Sequence, residues 1–210
     1  MTDKSFNFVV LFIAIMTKAE RTRQFIIEKA APIFNTKGVA GTAMSDIMEA
    51  TKLAKGSLYV HFENKEDLSY CTVDYIFSQL KTKISASIIN KRTAKEKLFA
   101  ILNFYCNSSN PAVEGGCPML NFGMEADDTN PVILNKVNKA MEKFQEMLIT
   151  IINDGINAGE FNADWDSKKF ALKAFAMIEG GIMISRISGK NDQLKTIALI
   201  LKEEIKKESN

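Results

Sequence analysis

The chain has 210 residues, 46% apolar and 25% charged, a balance that supplies a full core for one large or two small domains and excludes an intrinsically disordered chain. Its 27 basic and 25 acidic side chains leave a net charge of +2, without the strong basic surplus that marks many nucleic-acid-binding domains; residues 1–68 hold nine basic against eight acidic groups and residues 69–210 eighteen against seventeen. Three cysteines with no CxxC pair and a single histidine, His61, exclude a disulfide framework, a thiolate zinc site and a His-rich metal site, favour the reducing cytoplasm, and leave no metal or cofactor expected.

The apolar run from Phe8 to Met16 falls short of the about 20 residues that span a bilayer. It also lacks the small-residue cleavage site of a signal peptide. Residues 1–16 read as an extension that packs on the body or is disordered, as the product of a start codon upstream of a true start at Met16, or as a surface anchor over residues 6–16. Helices follow. Residues 18–36 place Phe25, Ile26, Ala30, Ile33 and Phe34 on one face. Pro32 predicts a bend or an opened turn, and Gly38 a stop. A short helix runs from Thr42 to about Ala50 with Met44, Ile47 and Met48 inward, and another from about Ala54 to His61. Asn64 caps a helix to about Ile88, with Glu66 and Asp67 in its favourably polarised first turn.

Thr93 caps a helix of about 94–107, and residues 108–118 form a loop rich in Gly and Pro. Pro118 opens a helix to about Ala126. Asn130-Pro131 opens a long one to about Ala158, whose face is Val137, Ala140, Met141, Phe144, Leu148 and Ile151. Helices over 167–188, begun by Asp166 and ended by Gly189, and over 191–207 complete the chain. No segment has the period-two alternation of a strand, so the fold class is all-α.

Two short helices after a longer one, with a tight turn near 51–53, make a helix-turn-helix candidate. The string Gly38, Thr42, Asp46-Ile47, Lys55-Gly56-Ser57-Leu58-Tyr59-Val60-His61-Phe62 and Asn64-Lys65-Glu66-Asp67-Leu68 resembles the N-terminal DNA-binding region of TetR-family transcriptional regulators. The resemblance implies a three-helix DNA-binding head, here 17–68, joined to a larger helical ligand-binding and dimerising body, here 69–210. The residue types suit that task. A helix entering the major groove must be slim, and Gly56 permits close approach. Lys55 reaches a phosphate or a guanine edge, Ser57 donates to either, and Val60 meets a thymine methyl. Tyr59 and His61 hydrogen-bond the DNA backbone. Thr42 and Lys65, near helix N-termini, add contacts where free amides attract anions. Leu53, Leu58 and Phe62 form the core of the head. Two positions depart from the family pattern: Lys52 replaces a turn glycine, costing about 1 kcal/mol if the backbone there is left-handed, and Ala54 replaces an N-cap hydroxyl, costing about another 1 kcal/mol. Lys52 in turn can add a phosphate contact.

In the body, Gly115-Gly116-Cys117-Pro118, Asn121, Glu125, Asp127-Asp128 and Asn130-Pro131 look similar to a loop-and-helix segment in one branch of the family. The resemblance implies a small-molecule pocket and a homodimer through the helices near 167–188 and 191–207. Aromatic side chains and adaptable methionines make Phe104, Tyr105, Met119, Phe122, Met141, Phe144 and Phe175 the pocket candidates, with Glu125 as an anchor for a cationic group. Cys117 is a candidate oxidation sensor, with a helix N-terminus as the one feature that would lower its pKa. Gly180 and Gly181, within a helix, imply close approach of another helix, inside the body or across the dimer. With one histidine, no nucleophile elbow and no phosphate loop, no catalytic residue is assigned. The expected function is a DNA-binding regulator, a repressor released from double-stranded operator DNA by a small-molecule effector. The alternative is a helical membrane-surface or structural protein anchored by residues 6–16.

Overall fold

The first helix, α1 (Lys18–Lys37), begins at a reciprocal cap: Thr17 Oγ1 accepts from the Glu20 amide at 3.2 Å, and the Glu20 carboxylate accepts from the Thr17 amide at 2.7 Å. A computed structural model describes residues 16–107 and 113–210; the expectations for residues 1–15, the possible anchor among them, and for 108–112 of the loop lie outside the described residues. Pro32 sits inside α1 without dividing it, so the expected opened turn does not form. Gly38 ends the helix at φ +75°, a conformation that favours glycine. The helices α2 (Met44–Thr51), α3 (Lys55–Tyr59) and α4 (Lys65–Ile88) follow. Asp46 accepts from the Ala43 amide at 3.0 Å and pairs with Lys37 at 3.2 Å, tying the start of α2 to the end of α1. Asn64 caps α4 by accepting from the Asp67 amide at 2.9 Å.

The chain divides into two compact units, one ending at Tyr75 and one beginning at Ile76. The core of the first unit is Ile26, Ala30, Phe34, Ile47, Leu58, Phe62 and Leu68. Phe25 is 38% exposed and Ile33 half-buried, so the buried face of α1 passes instead through Ile26, Ile27, Ala30, Ala31 and Phe34. Leu53, expected in this core, is only half-buried. Arg23 lies 4.8 Å from the Phe62 ring centroid and donates to Cys71 Sγ at 2.8 Å.

The second unit contains α5 (Ala94–Cys106), α6 (Pro118–Ala126), α7 (Pro131–Asn157), α8 (Ser167–Ser188) and α9 (Asp192–Lys207). Thr93, Asn130 and Asp166 cap α5, α7 and α8 through their side chains, and prolines occupy the first turns of α6 and α7. The helices pack α5 on α7 and α9, α6 on α7, α7 on α8, and α8 on α9. The apolar stripe of α7 buries Ile133, Val137, Phe144, Leu148, Ile151 and Ile152. Glu160 also accepts from the Ala94 amide at 2.8 Å, satisfying an orphan donor at the start of α5. Among the described residues there is no strand beyond the single bridge Phe161–Ser209, and no helix is long and apolar enough to cross a membrane.

Candidate functional site

The turn between α2 and α3 is held by Thr51, whose hydroxyl donates to the Ile47 carbonyl at 2.7 Å and accepts from the Leu53 amide at 3.3 Å. It forces Lys52 to φ 57°, ψ 24°, the one left-handed non-glycine among the described residues. Ala54 then starts α3 without a side-chain cap. Leu58 turns inward and is fully buried. Lys55, Gly56 and Tyr59 are exposed, as is Val60 just past the end of α3. At steps of one, three and four residues these four share the outer side of the helix. Val60 is 80% exposed, a position that intramolecular packing does not explain for an apolar side chain. The Lys55 ammonium lies 5.8 Å from the Tyr59 ring centroid. A Cβ at Gly56 would meet nothing within 4 Å, so the glycine answers no packing demand of the protein itself. Ser57 and His61 border this surface half-buried. The helix is shorter than the expected span: it closes at Tyr59, and the following residues form a turn with His61 N donating to the Leu58 carbonyl at 3.0 Å.

Two residues expected at the DNA, Thr42 and Lys65, make hydrogen bonds within the head. Thr42 is 1% exposed, and its hydroxyl donates to the Gly38 carbonyl at 2.6 Å. It precedes α2, whose N-cap is Ala43. Its side chain therefore locks the loop after α1 and is not available to a phosphate. The Lys65 ammonium donates to the Thr42 carbonyl at 2.9 Å. Lys65 is half-buried and draws the start of α4 onto that loop with one of its three N–H donors.

In the second unit a cavity of about 520 Å³ has an apolar wall of Leu80, Phe104, Tyr105, Pro118, Ile182 and Leu194. Cys117, Ser185, Arg186, Lys190 and Asn191 add polar groups to its lining. Of the residues expected to form a pocket, Phe104 and Tyr105 line it. Met119, Phe122, Phe144 and Phe175 are buried core, and Glu125 and Met141 are half-buried; none of these six borders the cavity. Phe144 and Phe175 support the wall from behind: Tyr105 meets Phe144 edge-on at 5.8 Å between centroids, and Phe144 meets Phe175 at 5.9 Å. A shallower groove of about 480 Å³ lies along Ser87, Lys91, Phe99 and Asn103.

Glu179, on α8 and 9% exposed, accepts a hydrogen bond from Cys117 Sγ at 3.0 Å. Burial raises the Glu179 carboxyl above its usual range. Burial, followed by the charge and hydrogen bond of Glu179, pushes the Cys117 thiol well up, so the group stays a thiol and the oxidation-sensor expectation loses its basis. Sequence reading passed over Glu179. Its signal was its spacing, four residues after Phe175 and eight after Ala171 on the buried side of α8.

The last two helices carry an unpartnered apolar face. Leu172, Met183, Ile184 and Ile187 on α8 and Leu199 and Ile200 on α9 are exposed, Ile187 at 80%. The α8 residues recur with Ala176 and Gly180 at three- and four-residue steps, forming one stripe. A Cβ at Gly180 would meet nothing within 4 Å, whereas one at Gly181 would lie 2.8 Å from Leu194 Cδ1 and 2.9 Å from Ile197 Cδ1. Gly181 thus permits the α8–α9 contact, and Gly180 lies open on the stripe.

Comparison with known proteins converges on one family. Residues 26–69 match the family model for bacterial regulatory proteins of the tetR family, and residues 94–200 match the tetracyclin repressor-like C-terminal domain. A TetR-family transcriptional regulator from Cytophaga hutchinsonii has a solved structure that is 38% identical, covers 92% of this chain and 98% of its own, and superposes with a TM-score of 0.88. A TetR transcriptional regulator from Chloroflexus aurantiacus is 33% identical with the same coverages and TM-score. The HTH-type transcriptional repressor DhaR of Mycobacterium sp. (strain GP1) is 24% identical over 86% of this chain and 90% of its own length.

Proposed function

The chain belongs to the TetR family and is a DNA-binding transcriptional regulator, and from that premise we propose that it is a homodimeric repressor released from operator DNA by a small-molecule effector. The observation that carries the DNA-reading part is the outer surface of α3 and its C-cap, where a largely exposed valine, an unconstrained glycine, an exposed tyrosine and Lys55 stand together. Lys55 and Lys52 take phosphates, Tyr59, Ser57 and His61 hydrogen-bond the DNA, and Val60 reads a thymine methyl beside the slim backbone at Gly56. Repression is supported by the relative DhaR, itself a transcriptional repressor. The exposed stripe of α8 with Leu199 and Ile200 supports a second copy of the chain as its cover. The second unit, with its cavity, is the effector-binding and dimerising body, and the protein works in the cytoplasm by binding, without catalysis. Effector and operator oppose each other through their different affinities for two states of the dimer. A membrane-surface or structural role is not favoured, since both matched family models describe regulators.

The test is binding of the full-length chain to DNA selected from a random pool, followed over a range of salt. Lys55→Ala lowers affinity and reduces the salt slope by about one; an unchanged slope removes Lys55 from the phosphate contacts. Val60→Ala shifts base preference at one position of each half-site with little change in salt slope, and an unaltered preference removes Val60 from the base-reading set.

A further inference from the structure

Three buried polar atoms of the second unit have no hydrogen-bond partner: Tyr105 Oη, Glu179 Oε2 and Ser185 Oγ. Folded proteins rarely leave such atoms unsatisfied, and a group of them beside a cavity points to something that completes them. Tyr105 and Ser185 belong to the lining of the 520 Å³ cavity, their hydroxyl oxygens just beneath its surface, and Glu179 adjoins the same wall through its bond to the lining residue Cys117. The Tyr105 phenol is held well above its usual pKa, first by burial and then by the neighbouring Cys117 and Glu179, so it is neutral and offers both a donor and an acceptor. The charges around the cavity constrain the ligand further. Arg186 and Lys190 on its lining are set against Glu114, also on the lining, and burial favours the neutral form of the Glu179 carboxyl behind it, so the site selects neither a cation nor an anion. The remaining wall of Leu80, Phe104, Pro118, Ile182 and Leu194 suits an apolar body.

We propose that the effector site takes an uncharged, mainly apolar molecule bearing a hydroxyl group, which Tyr105 and Ser185 hold by hydrogen bonds while the Cys117–Glu179 pair fixes the wall behind them. This deepens the reading of the second unit as an effector domain and rests on it. A hydroxyl both donates and accepts, so it can complete a phenol or a serine hydroxyl alike. Nothing in the site requires a charged ligand.

The test is calorimetric titration of the full-length protein with 2-naphthol, naphthalene, 2-naphthoate and 2-naphthylmethylammonium, which share a ring system and differ in the polar group. The expected result is that 2-naphthol binds about tenfold more tightly than naphthalene and more tightly than both ions. Tyr105→Phe abolishes that preference and leaves naphthalene affinity unchanged; Ser185→Ala, a milder change, reduces the preference. Thermal unfolding adds a readout that a structural role would move the other way: removing an unpartnered hydroxyl leaves the Tm of the unliganded protein equal or higher. The proposal is overturned if no probe binds, if an ion binds most tightly, if 2-naphthol shows no advantage, if its advantage survives both substitutions, or if the unliganded Tm of Tyr105→Phe falls. Binding to the selected operator, measured on the same samples, separates the two levels. Intact operator binding with a failed 2-naphthol preference refutes only the ligand class, whereas loss of any specific operator binding by the unsubstituted protein refutes the reading as a regulator.

Discussion

Lys52 occupies a backbone conformation that a side chain with a Cβ adopts at a cost. The position was legible through the resemblance to the TetR family, whose pattern carries glycine where this chain has Lys52. Lys52→Gly is expected to stabilise the head by up to about 1 kcal/mol, the removed strain outweighing the added freedom of glycine in the unfolded chain; chemical denaturation reads the change, and a loss of stability contradicts the strain. The same variant loses one unit of salt slope in operator binding if Lys52 touches a phosphate. Thr42 shows the limit of reading single residues. Its hydroxyl suits a phosphate by residue type alone, but it sits four residues after Gly38, whose carbonyl closes a local hydrogen bond with it and turns it inward. Lys65 reaches back 23 positions to the Thr42 carbonyl, a contact no local pattern announces.

At the scale of helices, the ends were the most legible feature, because caps act within three or four residues. Thr93, Asn130 and Asp166 begin their helices, and Gly189 ends α8 in a left-handed turn. The buried faces were mostly legible from periodicity, with Phe25, Ile33 and Leu53 the exceptions. The interior of the second unit was not legible. Cys117 and Glu179 meet across 62 positions, and six of the pocket candidates do not line this cavity, since apolar residues that fill a core and those that line a hole have the same composition. The two glycines of α8 allow a test at this scale. Gly181→Ala inserts a methyl group against Leu194 and Ile197 and is expected to lower the unfolding free energy by about 1–2 kcal/mol. A Cβ at Gly180 meets nothing within 4 Å, so Gly180→Leu is expected to preserve folding and to convert the proposed dimer to monomer. Denaturation combined with sedimentation separates these outcomes; a Gly180→Leu protein that remains dimeric moves the interface away from this stripe.

For the whole molecule, the net charge of +2 is a statement about distribution. A few groups on α3 and its flanking turn suffice for one contact face, and a dimer presents that face twice, while nearly balanced charge covers the rest. Low bulk charge also predicts weak non-specific DNA binding that fades quickly as salt rises, leaving specificity to the bases and to the spacing of the two faces. The measurement that tests this most directly is selection of DNA from a random pool by the full-length chain, with the stoichiometry of the selected complex determined by sedimentation. The account predicts enrichment of an inverted repeat whose half-sites present successive major grooves, about 34 Å apart, bound by chains in pairs. Failure of any sequence to rise above the starting pool, or enrichment of a single half-site bound by one chain, would contradict it.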